Sequence, residues 1–196
     1  RGALCSDGTP AVFYYRGCNE TYYQGDAGGC VNITQTWVIS FEAGGEYCFD
    51  AASCAARSKA RPALVTAPNA SKLVINGLLQ PFPEVNPNFY KAHAVHVPYC
   101  SSDMWAGSGG GGGGGRGGSG KLAGFGFNGR AIIKAVLEDL LTIAPSGHDD
   151  DGEPHGPAWR YNLVAAEELL LVGGPGVASQ AAAIAAKDEQ VAQQGE

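Results

Sequence analysis

Apolar positions follow one rhythm at the start of the chain and another further on. AVFYYR (11–16) and TWVISFEA (36–43) are short runs rich in β-branched and aromatic residues, bounded by Gly and Asn, and both predict strands. AHAVHVPYC (92–100) alternates apolar with polar residues and predicts a third strand that stops at Pro98 or soon after. In GRAIIKAVLEDLLT (129–142) the period becomes helical, with Ile132, Ile133, Val136, Leu137, Leu140 and Leu141 on one face. EELLLVGG (167–174) is a continuous apolar run of the kind found in a central parallel strand. The alanine-rich GVASQAAAIAAKDEQVA (176–192) predicts a helix directly after it. Strand and helix alternate, so the expected fold is α/β, a mostly parallel sheet with crossover helices.

Two segments break the pattern. SGGGGGGGRGGSG (108–120) cannot hold one conformation, and APSGHDDDGEPHGPAWR (144–160) is acidic and proline-broken; both predict inserted loops within a single domain spanning 1–196. The 196 residues suffice for one core, and no internal period suggests repeats. A net charge of -6 with 13 scattered Lys and Arg gives no footprint for nucleic acid, which is not expected as a partner. No apolar run reaches the roughly 18 residues that span a bilayer, and the N-terminus has no signal-peptide core. A cytosolic chain or a trimmed secreted one would both fit.

Cysteine usage favours the second. Cys5, Cys18, Cys30, Cys48, Cys54 and Cys100 form an even set without CxxC pairs or zinc-like spacing, as in a disulfide framework. Sequons at Asn19, Asn32 and Asn69 point to the secretory pathway and an extracellular location. Spacing leaves the connectivity open. The short turn-rich loops suggest 18 with 30 and 48 with 54, which would leave Cys5 to Cys100 as a long-range staple.

Most chemical candidates are weak. The oligoglycine run lacks the Gly-Lys-Ser/Thr ending of a phosphate loop, so it reads as a linker. His148, Asp149, Asp150, Asp151, Glu153 and His155 have metal-binding side chains but no regular element to set ligand geometry, and no metal is expected. His93 and His96 sit on opposite faces of the third strand, and a structural role is their default. Asp103 follows a strand end, where it could line a pocket or cap the next turn. Gly174-x-Gly176-x-x-Ser179 nearly matches a dinucleotide fingerprint, but no second strand with an acidic end follows, so no cofactor is expected. Gly173-Gly174-Pro175-Gly176-Val177 occupies the frame of the nucleophile elbow G-x-S-x-G, with proline in the serine's place.

CSDGTPAVFYYR, FEAGGEYCF, NPNFYKAHAVHVPYCSSDMWAG and FGFNGRAIIKAVLEDLL resemble the N-terminal half of the pectin acetylesterase and Notum family. These are secreted serine carboxylesterases of α/β-hydrolase fold. PYCSSDMWAG is the most specific stretch and is nearer the animal Notum type. The resemblance runs over about residues 3 to 178, outside the two inserted loops and the Cys18 to Cys30 excursion. It implies an incomplete domain whose C-terminal half is absent from this chain.

Carried across, the family's oxyanion-hole segment falls on Gly44, Gly45 and Glu46, with Glu46 where tryptophan is usual. A carboxylate beside a developing oxyanion repels it unless it points away. The resemblance also places disulfides at Cys48 with Cys54 and at Cys5 with Cys100. The elbow's nucleophile falls on Pro175, which has no atom to attack with; Ser179 is a weaker alternative in another alignment. The family's acid and histidine lie downstream of the elbow, in the half not present.

The expected activity of the family is deacylation of acetylated polysaccharide or acylated protein, and this chain is expected to be inactive. A fragment or misread frame of a working esterase, a binding or structural pseudoenzyme, and a half-enzyme completed by another chain all fit. In the last case a partner chain would cover the exposed sheet edge.

Overall fold

A computed structural model describes residues 3–16, 35–44, 47–69, 77–108, 124–142 and 163–174. Four strands build one sheet in the order β1 (Tyr14–Arg16), β3 (His93–Val97), β2 (Thr36–Phe41), β4 (Glu168–Val172). β3, β2 and β4 run parallel, and β1 is antiparallel to β3. Two helices lie in the connections: α1 (Ala51–Ala60) between β2 and β3, and α2 (Gly129–Thr142) between β3 and β4. This is the α/β sheet with crossover helices that the alternating pattern predicts.

The period of two decides what each face buries. Trp37, Ile39 and Phe41 join Val95 and Val97 on one face and pack against Ile132, Ile133, Val136, Leu137 and Leu140 of α2. Val38 and Ala94 point the other way, onto Leu79 and Ala92 of the segment that precedes β3. That segment is held from within by Asn86, whose Nδ2 donates to the carbonyls of Leu78 and Gln80. The Arg16 guanidinium ties it to the sheet by donating to the carbonyls of Leu79, Tyr90 and Ala92.

Boundaries differ from the sequence expectation for identifiable reasons. The first strand is shorter than 11–16, because Pro10 bridges to Leu4 and the Ala11 amide bonds Ala3 instead of entering the sheet. β3 ends at Val97, directly before Pro98, as a residue without an N–H requires. β4 was expected to be central, yet among the described residues it ends the strand order, and Leu169 is 38% exposed. Helix α1 was not foreseen. Only Cys54 of its ten residues is buried, so it shows no apolar stripe. Its signal was local: Asp50 accepts from the Ser53 amide at 2.6 Å and the Ser53 hydroxyl accepts from the Asp50 amide, a reciprocal cap before an alanine-rich run.

Disulfides join Cys5 to Cys100 and Cys48 to Cys54. The expected helix 176–192, the inserted loops apart from Ser108, and the Cys18 and Cys30 pair lie outside the described residues. No described helix is long and apolar enough to cross a membrane.

Candidate active site

Ligands of parallel α/β sheets gather where strands end, because the loops there diverge and leave backbone amides unpaired. β2 and β4 are parallel neighbours, with Trp37 beside Leu169 and Ser40 beside Val172, so both strands leave the sheet at the same level. The chain after β2 passes through Glu42, Ala43 and Gly44; the chain after β4 passes through Gly173 and Gly174. These exits touch. A Cβ built on Gly174 would meet the Cα and Cβ of Ala43 at 3.6 Å, ordinary contact distance.

The first exit is stapled at its far end, where Cys48 bonds Cys54 in the first turn of α1. The Cys48 amide donates to the Ser102 carbonyl at 3.3 Å, which draws in the loop after β3 as a third wall. Exposed apolar side chains rim this corner: Tyr47 and Phe49, 57% and 72% exposed and in edge contact with rings 6.2 Å apart, and Met104.

Asp103 belongs to that third wall, and its carboxylate is fully engaged. Oδ1 accepts from the Ser101 hydroxyl at 2.6 Å and the Trp105 amide at 2.9 Å. Oδ2 accepts from the Gly107 amide at 3.0 Å and the Gly129 amide, in the first turn of α2, at 2.7 Å. Burial pushes the carboxyl above its ordinary range while these four donors pull it back. Both glycines are needed, since a Cβ at either would collide with the carboxylate. Of the two roles expected for Asp103, this geometry is that of a cap and an anchor.

The histidines of β3 divide as their spacing predicts. His93 lies at the strand's start, away from the exits, 1% exposed, stacked on Trp37 at 4.4 Å with Nδ1 2.8 Å from the Tyr15 hydroxyl. Burial, aided by the Arg16 charge, lowers its pKa to about 4. His96 is half-buried on the opposite face, nearer the exits; burial lowers its pKa and the Glu42 charge opposes this.

Of the residues implied for the oxyanion hole, Gly44 is described and sits in this corner, while Gly45 and Glu46 lie outside the described residues. So do Pro175, Ser179, Asn19, Asn32 and the acidic stretch 148–155; Asn69 is exposed on a loop. Sequence reasoning missed Glu42, at the exit of β2, and Tyr99 and Trp105, which pack behind it. The signal was present inside FEAGG and PYCSSDMW, but nothing in the residue types says which groups meet.

An antiparallel first strand, a parallel β3-β2-β4 core and neighbouring exits after β2 and β4 are the arrangement of part of an α/β-hydrolase fold. In that fold one oxyanion donor comes from the loop after one strand and the nucleophile turn follows another. Comparison with known proteins narrows the class. A family model described as Pectinacetylesterase matches residues 1–145, and the chain belongs to that family. It is 36% identical over 105 residues to the Danio rerio protein named inactive palmitoleoyl-protein carboxylesterase notum1b, a match covering 53% of this chain and 66% of that one. It is 32% identical over 139 residues to the Danio rerio palmitoleoyl-protein carboxylesterase notum1a, covering 70% of this chain and 23% of the relative. The solved structure of the Wnt deacylase Notum from Drosophila superposes with a TM-score of 0.54 at 29% identity, over 71% of this chain and 33% of that chain. The chain thus spans a minor part of two of these relatives and about two thirds of the third.

Proposed function

We propose that this chain carries the oxyanion side of a Notum-type carboxylic ester hydrolase site and that, as written, it does not hydrolyse esters. One observation supports the reading: a Cβ on Gly174 would lie 3.6 Å from Ala43, so the chain leaving β4 runs close to the loop after β2, as the nucleophile and donor elements of this fold do. Gly44, Gly45 and Glu46 take the donor positions and Pro175 the nucleophile position. Proline has no atom that can attack an ester, so no base can activate that position. The substrate class would be an acylated protein, with acetylated polysaccharide as the family's other option. Two disulfides and the exposed sequon at Asn69 support a secreted glycoprotein, with Asn19 and Asn32 as further acceptor sites.

A non-catalytic role on the same scaffold is the second reading, favoured by the 36% identity to a relative named inactive. In it the apolar rim binds without turnover. A further chain that covers β4 and supplies the remaining strands and the whole triad, nucleophile included, would instead restore activity.

The test is hydrolysis of p-nitrophenyl acetate and p-nitrophenyl octanoate by the secreted chain, together with labelling by a fluorophosphonate. Background rates and no label are expected for the chain with Pro175 in place. Hydrolysis above background that the fluorophosphonate abolishes would overturn inactivity, and a label on Ser179 would make that residue the nucleophile.

A further inference from the structure

Three residues with side chains adopt left-handed backbone within four positions of the loop after β3: Ser102 (φ 49°), Met104 (φ 55°) and Trp105 (φ 64°). Each such residue costs on the order of 1–3 kcal/mol and persists only where its surroundings over-determine it. What the loop achieves in exchange can be read from its contacts. It grips the exit of β2 through three contacts, two to Glu42 and one to Gly44.

The Trp105 indole Nε1 donates to the Glu42 carbonyl at 3.0 Å. The Tyr99 amide donates to the Glu42 carboxylate Oε2 at 2.8 Å. The Tyr99 ring then presses on Gly44 so closely that a Cβ there would fall into the ring. The grip is closed upon itself, because the Tyr99 hydroxyl accepts from the Met104 amide at 2.7 Å and Asp103 holds the Trp105 amide and the start of α2. Tyr99 and Trp105 are fully buried and their rings meet at 5.3 Å. Burial raises the Tyr99 phenol to about 12, against the pull of the Met104 amide, so its hydroxyl stays neutral.

We infer that Tyr99 and Trp105 are positioning residues that fix the backbone of Ala43 and Gly44, with the strained loop 102–105 as the spring that aims them. The inference rests on the reading of Gly44 as an oxyanion-side residue. Such donors stabilise developing charge only if held in place before the reaction, so that no reorganisation is needed. A bulky pair sealed by hydrogen bonds on the far side of a glycine does this without entering the site.

The test is backbone relaxation by NMR on the full chain, with Trp105→Phe and Tyr99→Phe. Tyr99→Phe keeps the ring and removes its hydroxyl; Trp105→Phe keeps an aromatic ring, removes the indole N–H and gives up part of the ring volume. In the parent, Ala43 and Gly44 amides should show the order of rigid structure, about 0.85, and in Trp105→Phe they should fall below about 0.6 while Ile133, Val136 and Leu137 of α2 hold their values. In Tyr99→Phe the Gly44 amide should loosen together with that of Met104. Unchanged order at Ala43 and Gly44 in both variants overturns the inference. Equal loosening of α2 also overturns it, since ordinary core residues would give that result. The readout is independent of turnover, so an ester assay that sinks the proposed function leaves this result to stand or fall alone.

Discussion

Two glycines at the candidate site have opposite tolerance for a methyl group, and the difference follows from what each touches. At Gly44 the added Cβ would run into the buried Tyr99 ring, which cannot retreat because its hydroxyl and amide are both bonded. At Gly174 it would meet Ala43 at ordinary contact distance. Gly44→Ala is therefore expected to lower stability by about 1–3 kcal/mol, as overpacking does in cores. Gly174→Ala should stay within about 0.5 kcal/mol. Thermal melts of the two variants check this, and equal losses would show that the Tyr99 ring yields. Neither behaviour is written in the sequence, where both positions read simply as glycine beside glycine.

At the scale of the element, β3 shows how a strand turns a titratable side chain into a structural one. Its first residue, His93, packs in a cluster of three rings with Trp37 of β2 and Tyr15 of β1, with the Tyr15 hydroxyl on Nδ1 and Arg16 near enough to oppose a proton. The folded pKa of about 4 lies below the unfolded value of 6.5, so between them the unfolded chain binds more protons. Stability is then full above 6.5, falls as pH drops through this window, and levels off below about 4. The loss from His93 alone is about 3 kcal/mol. His96 shifts in the same direction and adds to it. Urea unfolding at several pH values should show the fall, and His93→Gln should flatten it; an unchanged slope in that variant would assign the effect elsewhere.

The alternation in AHAVHV made this arrangement of faces legible, since a period of two puts His93 with Val95 and His96 with Ala94 whatever the partner strands. Helix α2 was legible for the same reason: its apolar stripe is a property of the segment, and five of the six residues placed on that face are buried. α1 was not, because it buries a single side chain and depends on the Asp50 and Ser53 cap, a signal of two residues.

For the molecule as a whole, the N-terminal turn is the keystone of the loop after β3. Cys5 is bonded to Cys100, the Ser6 amide donates to the Cys100 carbonyl at 2.8 Å, and the Ser6 carbonyl accepts from Gly126 ahead of α2. The bridge closes a separation of 95 residues and lies just before the strained stretch. Replacing both cysteines by serine should cost about 4 kcal/mol through the freed unfolded chain. It should also release the loop that holds Tyr99 and Trp105. Denaturant midpoints of the double variant measure the cost, and a loss no larger than that of a surface substitution would mean that packing alone fixes the turn.

The sequence by itself determined the elements whose faces are apolar, the α/β class and the family, because these depend on local period and residue type. Only the tertiary structure decided that Asp103 spends its carboxylate on four internal donors, that Glu42 is held at both its carbonyl and its side chain, and that Gly44 rests on Tyr99. These contacts join residues from separate strands and loops, and a left-handed Trp105 is stable only inside the set of bonds that surrounds it. A residue type reports what a side chain can bond; the fold chooses which partner it meets.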